Sequence, residues 1–512
     1  MNKKILKWNL IFQYGYVITS IVSSIILFPV YLKHIDASTL GIWLATGNIL
    51  AWMTLADPGV GDVLQQKIAE LRGKKMYNEI GQTIGSGFIA SALILIISII
   101  AGFIFFFLIG TIINKDVSQY PNLQMALALS IIATGMSLVS FSVSGINQGM
   151  HNSAHVAIAS LIANGVFLVV NVLLLYLGFG VISIAFANLC RALFVNIYNM
   201  AALRNLLKRE NLKVTFNLDH FKSFIRIFSF TSVSRIVSGF SSSMDMIILA
   251  RFIPPGMITI FEINRRPIIL TQSLVGRHSV ALMPLISHAK GLDDKKGINN
   301  LITRQFKFYS LVALFISFVF CLVYRDLIAL WTGADKYAGD TIMYLLVANF
   351  FFFLIGYFMS NMGYALGDIK MNSVINITKG LLLGVLLFFV ARKYGIIGTL
   401  TASLCVVLIT DFSYFTYRLY KIGYLQSTLI KSSLQLWSII VPAGLLLVWG
   451  CKTLVQHMFS ETMYIPKLLV SGTVFASAFI ILLVLVDAEA RDIARLVRDK
   501  FILAPYFKLK KV

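Results

Sequence analysis

Arg265 and Arg266 stand side by side about eight residues inside a stretch that otherwise reads as membrane-spanning helix. Arg191, Arg235 and Arg277 are placed alike. An arginine at the centre of a spanning helix costs about 2.5–3.5 kcal/mol on insertion scales, so five facing lipid would cost roughly 12–18 kcal/mol. A shared water-filled cavity inside the bundle removes that penalty. A cavity with a cationic wall suits an anionic ligand, because a guanidinium fork binds phosphate or carboxylate through two parallel hydrogen bonds. Glu262 precedes Arg265 by three residues and Arg266 by four, within reach of both on a helix. One arginine can therefore be neutralised while the other serves a ligand. Pro267 follows and removes a backbone donor, which favours a mid-membrane kink.

The preceding span carries a second polar face. At 100° per residue, Thr231, Arg235, Ser238, Ser242 and Asp245 fall within roughly an 80° stripe. Serine and threonine alone would serve as interhelical packing. The charges mark the face as functional. Arg235 and Asp245 lie about 15 Å apart along the axis, at different depths of one wall. Asp245 is placed either to position arginines or to titrate with a coupling proton. Arg191 shares a helix face with Asn188 and Asn199, directed at the lumen or at a backbone carbonyl. Arg277 lies nearer the inner end, where snorkelling to the interface competes with a role in the cavity. His278 beside it reads as a hydrogen-bonded packing residue. Span one offers Gln13, Tyr16, Ser20 and Ser23 but no acid.

The elements that must hold these residues are transmembrane helices. Of 512 residues, 58% are hydrophobic and 13% charged, with a mean hydropathy of +0.82, which excludes a soluble globular chain. About fourteen apolar runs satisfy the ~20-residue criterion. They lie near 10–32, 39–57, 83–113, 123–146, 154–177, 180–203, 225–250 and 257–286, then 308–331, 341–366, 372–392, 395–417, 433–455 and 467–486. The net charge of +22 does not indicate nucleic-acid binding, because the basic residues cluster between the apolar runs. Cys190, Cys321, Cys405 and Cys451 sit in or beside apolar spans without metal-ligand spacing, and read as small hydrophobes. Neither a metal site nor a cofactor is expected. The chain carries no HExxH, GxSxG, Walker or dinucleotide fingerprint, so an enzyme is not expected. Asp57 and Asp62 bracket Pro58-Gly59 as a helix-ending turn rather than a catalytic pair.

Two offsets expose an internal repeat. Lys67-Ile-Ala-Glu-Leu-Arg-Gly falls on Pro284-Leu-Ile-Ser-His-Ala-Lys-Gly, with Arg72 on Lys290 at a shift of 218. Phe179-Gly180-Val-Ile falls on Tyr394-Gly395-Ile-Ile at a shift of 215. Both shifts pair spans of the same orientation, which makes the repeat parallel. The expected organisation is an N-lobe at 1–208, a C-lobe at 209–424, two further spans within 425–486 and a tail at 487–512. The tail reads as an amphipathic helix on anionic lipid or as a docking helix.

These motifs together resemble the polysaccharide flippases of the multidrug/oligosaccharidyl-lipid/polysaccharide exporter superfamily. The likeness rests on Asp57-Pro-Gly-Val-Gly followed by the Lys67–Gly73 motif, the Ser-rich seventh span, and Asp245-Met-Ile-Ile-Leu-Ala. Pro284-Leu-Ile-Ser, Leu330-Trp-Thr-Gly and Tyr394-Gly-Ile-Ile-Gly extend it across the chain. The resemblance implies an all-α, MATE-like membrane protein with two parallel six-helix repeats around a central cavity. Its two extra C-terminal helices are similar to those of the peptidoglycan-precursor flippase. It further implies export, by alternating access, of an undecaprenyl-pyrophosphate-linked oligosaccharide such as an O-antigen unit. Membrane lipid and the polymerase machinery of the same polysaccharide are the candidate partners. Arg235, Arg265 and Arg266 would then bind the pyrophosphate, with Arg191 and Arg277 secondary, Glu262 orienting the pair and Asp245 supporting it. The alternatives are a cation-coupled multidrug antiporter and a membrane polysaccharide polymerase or ligase. The arginine excess opposes the first, and the short outer loops oppose the second.

With the N-terminus inside, inner segments hold about 30 of the 44 basic residues and outer ones about 9. Both termini are therefore expected in the cytoplasm of a cytoplasmic (inner) membrane. A reporter active only in the cytoplasm, fused after Val512, is expected to score positive. A periplasm-specific reporter at the same site is expected to stay silent, and the reverse pattern would refute this topology.

Overall fold

The computed structural model describes residues 3–51, 60–120, 122–218, 221–222, 244–291, 293–460, 463–487 and 491. Among them are fourteen α-helices, two short 3₁₀ turns and one π-helical segment. Nine helical stretches among the described residues are long and apolar enough to cross a membrane. Contacts divide the chain into two compact units, Met1–Phe261 with Asn376–Thr399, and Glu262–Ile375 with Leu400–Val512.

The first unit holds α1 (Lys3–His34), α2 (Ala37–Ala51), α3 (Val60–Gly73), α4 (Tyr77–Ile113), α5 (Leu123–Gly149), α6 (Ser153–Tyr176) and α7 (Val181–Arg209). Between α4 and α5, hydropathy and burial run in opposite order. The most apolar window of α4 has a mean hydropathy of 3.1 and is 22% buried, whereas that of α5 has 1.9 and is 56% buried. A lipid-facing helix can be apolar on its outer side, and α4 exposes Ile96, Ile100, Phe103 and Phe107 there. A central helix must instead carry the small and polar residues that join its neighbours. On α5, Asn147 is fully buried and donates to the carbonyls of Val143 (3.1 Å) and Asn199 (3.0 Å). Asn199 on α7 returns a bond to Ser144 Oγ at 3.0 Å. Hydroxyls without such a partner turn on their own helix, as Ser91 does to the carbonyl of Gly87 at 2.7 Å. The Lys67–Gly73 motif, expected as an inner connection, belongs to helix α3. Where α3 crosses α5, a Cβ on Gly145 would overlap the carbonyl of Gly61, so backbone meets backbone.

The linker after α7 also lies on small residues. Its residues 212–217 run extended along α4, with the Thr215 amide donating to the Gly81 carbonyl at 3.3 Å. Side chains at Gly81 or Gly85 would strike that linker's backbone. The seventh expected span, 225–250, is described only from residue 244, where a helical stretch runs to 252.

The second unit takes α8 (Pro255–Gly291) from Glu262 onward, α9 (Lys295–Thr332), α10 (Asp340–Ala365) and α11 (Ile369–Val407), apart from the 376–399 stretch of the last. A π-helical segment, Leu408–Tyr414, leads into α12 (Phe415–Lys421), followed by α13 (Ser427–Met458) and α14 (Tyr464–Val486). The last two helices pack on α9 through an aromatic core in which the rings of Phe318 and Phe475 are 6.2 Å apart and those of Phe475 and Phe479 5.7 Å. The chain stays helical from 371 to 421 except at Gly395, between the expected spans 372–392 and 395–417. Beyond α14, Asp487 pairs with Lys307 at 2.5 Å, and Arg491 donates to the carbonyls of Val484 and Leu485. The expected amphipathic helix otherwise lies outside the described residues.

Positions paired by the sequence offsets share local geometry. Gly180 has φ 53°, ψ −129°, and Gly395 has φ 55°, ψ −132°, a region that residues with a Cβ seldom occupy. In the first unit Arg72 donates to the carbonyl of Met150, just past α5, at 2.6 Å. In the second unit Lys290 donates to the carbonyl of Leu366, just past α10.

Gly145→Val is expected to force α3 from α5 and lower stability by about 1–3 kcal/mol or more. Thermal unfolding of the detergent-solubilised protein measures it. Gly165→Ala, where a Cβ meets nothing within 4 Å, is the matched control expected to leave the transition unmoved.

Candidate functional site

Helix α8 carries four of the seven residues singled out from sequence. Glu262 is 6% exposed, and its Oε1 accepts from Arg266 Nη1 at 3.0 Å, one helical turn on. The Arg266 side chain keeps a third of its surface accessible. A buried carboxylate is tolerated only beside a cation, and the i,i+4 spacing provides one from the same helix. Arg265 is half-buried. Adjacent residues on an α-helix point about 100° apart, so the two guanidinium groups leave α8 in different directions.

The surroundings hold this turn rigid. Asn264, 1% exposed, donates through Nδ2 to the carbonyl of Lys336 at 2.8 Å and accepts from the Ala338 amide at 3.2 Å. The buried Tyr324 hydroxyl donates to the Asn264 carbonyl. The α9–α10 connection is thereby tied to the turn that presents the arginines. α8 continues unbroken past Pro267, whose carbonyl accepts from Thr271 Oγ1 at 2.8 Å.

The other candidates are placed separately. Arg277 lies eleven residues beyond Arg266, about 16 Å along the axis, and its side chain is exposed. His278 is hydrogen-bonded and exposed, with Nε2 2.9 Å from Gln305 Oε1 and its ring 5.6 Å from that of Phe308. In the first unit, Arg191 lies over the ring of Phe167 on α6, 5.3 Å from its centroid. It does not share an environment with Asn199, which is fully buried against α5. A cation over an aromatic face keeps part of its electrostatic support while staying apart from carboxylates. Asp245 is half-buried, and its Oδ1 accepts from the Met246 amide at 2.8 Å. Arg235, Thr231, Ser238, Ser242 and Asp57 lie outside the described residues.

One residue was passed over in sequence. Asp411 is 5% exposed and lies in the π-helical segment, where Thr410 Oγ1 donates to its Oδ2 at 3.3 Å. Its Cβ fills the space beside Gly356 on α10. π-Turns are rare and concentrate at functional sites. Its sequence signal is a single acid interrupting the apolar run around 404–415.

The family model described as "Polysaccharide biosynthesis protein" matches residues 14–290, more than half of the chain. The chain belongs to that family. A search of curated proteins finds no match. Among solved structures, the lipid II flippase MurJ in an inward closed conformation is similar over 93% of this chain and 99% of its own, at 16% identity and a TM-score of 0.70. An inward-facing multidrug resistance MATE family transporter of the MOP superfamily covers 82% and 96%, at 14% identity and a TM-score of 0.66. A MOP superfamily transporter from Pyrococcus furiosus covers 81% and 96%, at 15% identity and a TM-score of 0.53. The polysaccharide biosynthesis family member thus has a MurJ- and MATE-like all-helical membrane fold.

The Glu262–Arg266 contact makes a measurable prediction for this family member. In a double-mutant cycle of Glu262→Gln and Arg266→Gln, the double variant is expected to be less destabilised than the summed singles, by about 0.5–3 kcal/mol. Thermal or denaturant unfolding in nanodiscs reads it. Strict additivity would mean that the pair contributes nothing to folding.

Proposed function

We propose that this protein is a transporter, a flippase that carries a polyprenyl-pyrophosphate-linked oligosaccharide across the cytoplasmic membrane for surface polysaccharide synthesis. The observation that carries the reading is the α8 turn, where buried Glu262 holds one accessible guanidinium beside a second arginine. A pyrophosphate offers several oxygens in the geometry that guanidinium forks match. The polyprenyl tail can remain in lipid throughout, since only the head group has to cross. Family membership and a flippase-like fold over nearly the whole chain support the same substrate class.

The transport cycle we propose is alternating access between two parallel six-helix lobes, 1–208 and 209–424, with α13 and α14 outside them. Matched glycine backbones at 180 and 395 support that repeat, as do the matched lysine and arginine caps on the α5 and α10 termini. Arg265 and Arg266 would bind the pyrophosphate together with Arg235, Glu262 would orient the pair, and Asp245 would support it. Arg191 and Arg277 would act as secondary cationic sites met as the head group moves.

Replacing both Arg265 and Arg266 by Ala is expected to abolish export while the protein remains inserted and abundant. Lys at both positions is expected to restore only part, since a point charge lacks the bidentate fork. Surface polymer in a deletion strain carrying each variant is the readout. Normal export by the double Ala variant at matched protein level would sink the assignment.

A further inference from the structure

A second polar site, a cavity, lies wholly within the second unit. It occupies about 470 Å³ where α9 passes into α10 and α13 into α14. Arg325, Asp326, Asp340, Lys452 and Lys467 supply its charged lining, with the Tyr337 phenol beside them. Four helix ends therefore bring three cations and two acids to one place.

The acids do not balance the cations. The Asp340 carboxylate accepts from the Tyr337 hydroxyl at 2.6 Å, a neutral donor that leaves its charge in place. Asp326 is the acid that Lys467, Arg325 and Lys452 all face electrostatically. Lys467 is 7% exposed, Lys452 half-buried and Arg325 exposed. Among the described residues, neither Arg325 nor Lys452 makes a hydrogen bond or a close ion pair. Three cations against two carboxylates leave net positive charge for something else.

The location narrows the ligand. The connections at this end mark the membrane surface, and the adjoining turns of α13 and α14 expose Trp449, Met458, Met463 and Ile465. Exposed apolar and tryptophan side chains there suit the level where acyl chains meet head groups. The volume falls within the range of small-molecule sites and far exceeds a bare inorganic ion. We propose that this cavity is an anion site for a phosphate-bearing head group at the membrane surface, gripped by Arg325 and Lys452 near Lys467. The head group belongs either to an anionic phospholipid of the bilayer or to a soluble or transported phosphate ester. The chemistry is the same for both. The site does not rest on the flippase reading, because it is tested by binding and not by export.

The test uses the full chain in nanodiscs of pure phosphatidylcholine or of phosphatidylcholine with phosphatidylglycerol. Thermal unfolding is followed with and without added inorganic pyrophosphate. Binding to the folded state raises the unfolding temperature. A rise with phosphatidylglycerol assigns the site to bilayer lipid, and a rise with pyrophosphate in pure phosphatidylcholine assigns it to a free phosphate. In R325Q/K452Q the apparent affinity is expected to fall about tenfold or more, and the rise to vanish. That variant should match the parent in pure phosphatidylcholine, since neither side chain makes a hydrogen bond or close ion pair among the described residues. If it does not fold, K452Q alone carries the same comparison. R392Q/K393Q removes the same charge from a surface outside the cavity and should keep the full response. The proposal is overturned if neither ligand stabilises the parent, if the response survives in R325Q/K452Q, or if the control loses it equally.

Discussion

Water is missing from the hydrocarbon layer, so every polar group that enters it must find its partner inside the bundle. That requirement organises this molecule more than apolar attraction does, because lipid is as apolar as the helices it surrounds. Asparagines do much of the joining. Asn196 donates to its own helix at Ala192 and across to Met136 on α5, and Asn349 donates to Leu345 and across to Leu400. Each uses two amide hydrogens to bind two carbonyls on different helices. Where no such side chain is available, glycine lets backbones touch, as at Gly61 and Gly145. In the second unit, Asn361 Nδ2 donates to Ser279 Oγ at 2.8 Å.

Charges obey the same rule more strictly. At the ends of the helices, Arg72 pairs with Glu210 at 2.8 Å, and Arg418 grips Asp368 bidentately at 2.6 and 3.0 Å. These ties join helix termini within each unit, where water and lipid head groups share the work. Deeper in α8, Glu262 is nearly sealed off and takes Arg266 from its own helix. Such a pair is poor as a stabiliser, since desolvation offsets most of the attraction. It persists well as part of a site, since an accessible guanidinium held by a buried carboxylate is oriented before any ligand arrives. The Asn264 bonds to the α9–α10 connection make the same turn stiff. They also couple it by one short piece of chain to Tyr337 and the polar cavity.

Much was legible in the residues because membrane burial imposes simple rules. Apolar runs of fixed length gave the helices, and the i,i+4 spacing gave the Glu262–Arg266 contact. Matched Gly180 and Gly395 motifs turned out to share one unusual backbone conformation, which only glycine adopts readily. Tertiary structure alone decided which polar residue meets which. Arg191 rests on Phe167 rather than beside Asn199, although helical periodicity puts both on one face. Asp411 is buried at a π-turn that no periodicity announces. The Arg325, Lys452 and Lys467 cluster gathers residues more than a hundred positions apart. Sequence periodicity fixes direction about one helix axis, and only packing between helices fixes which side chain stands opposite.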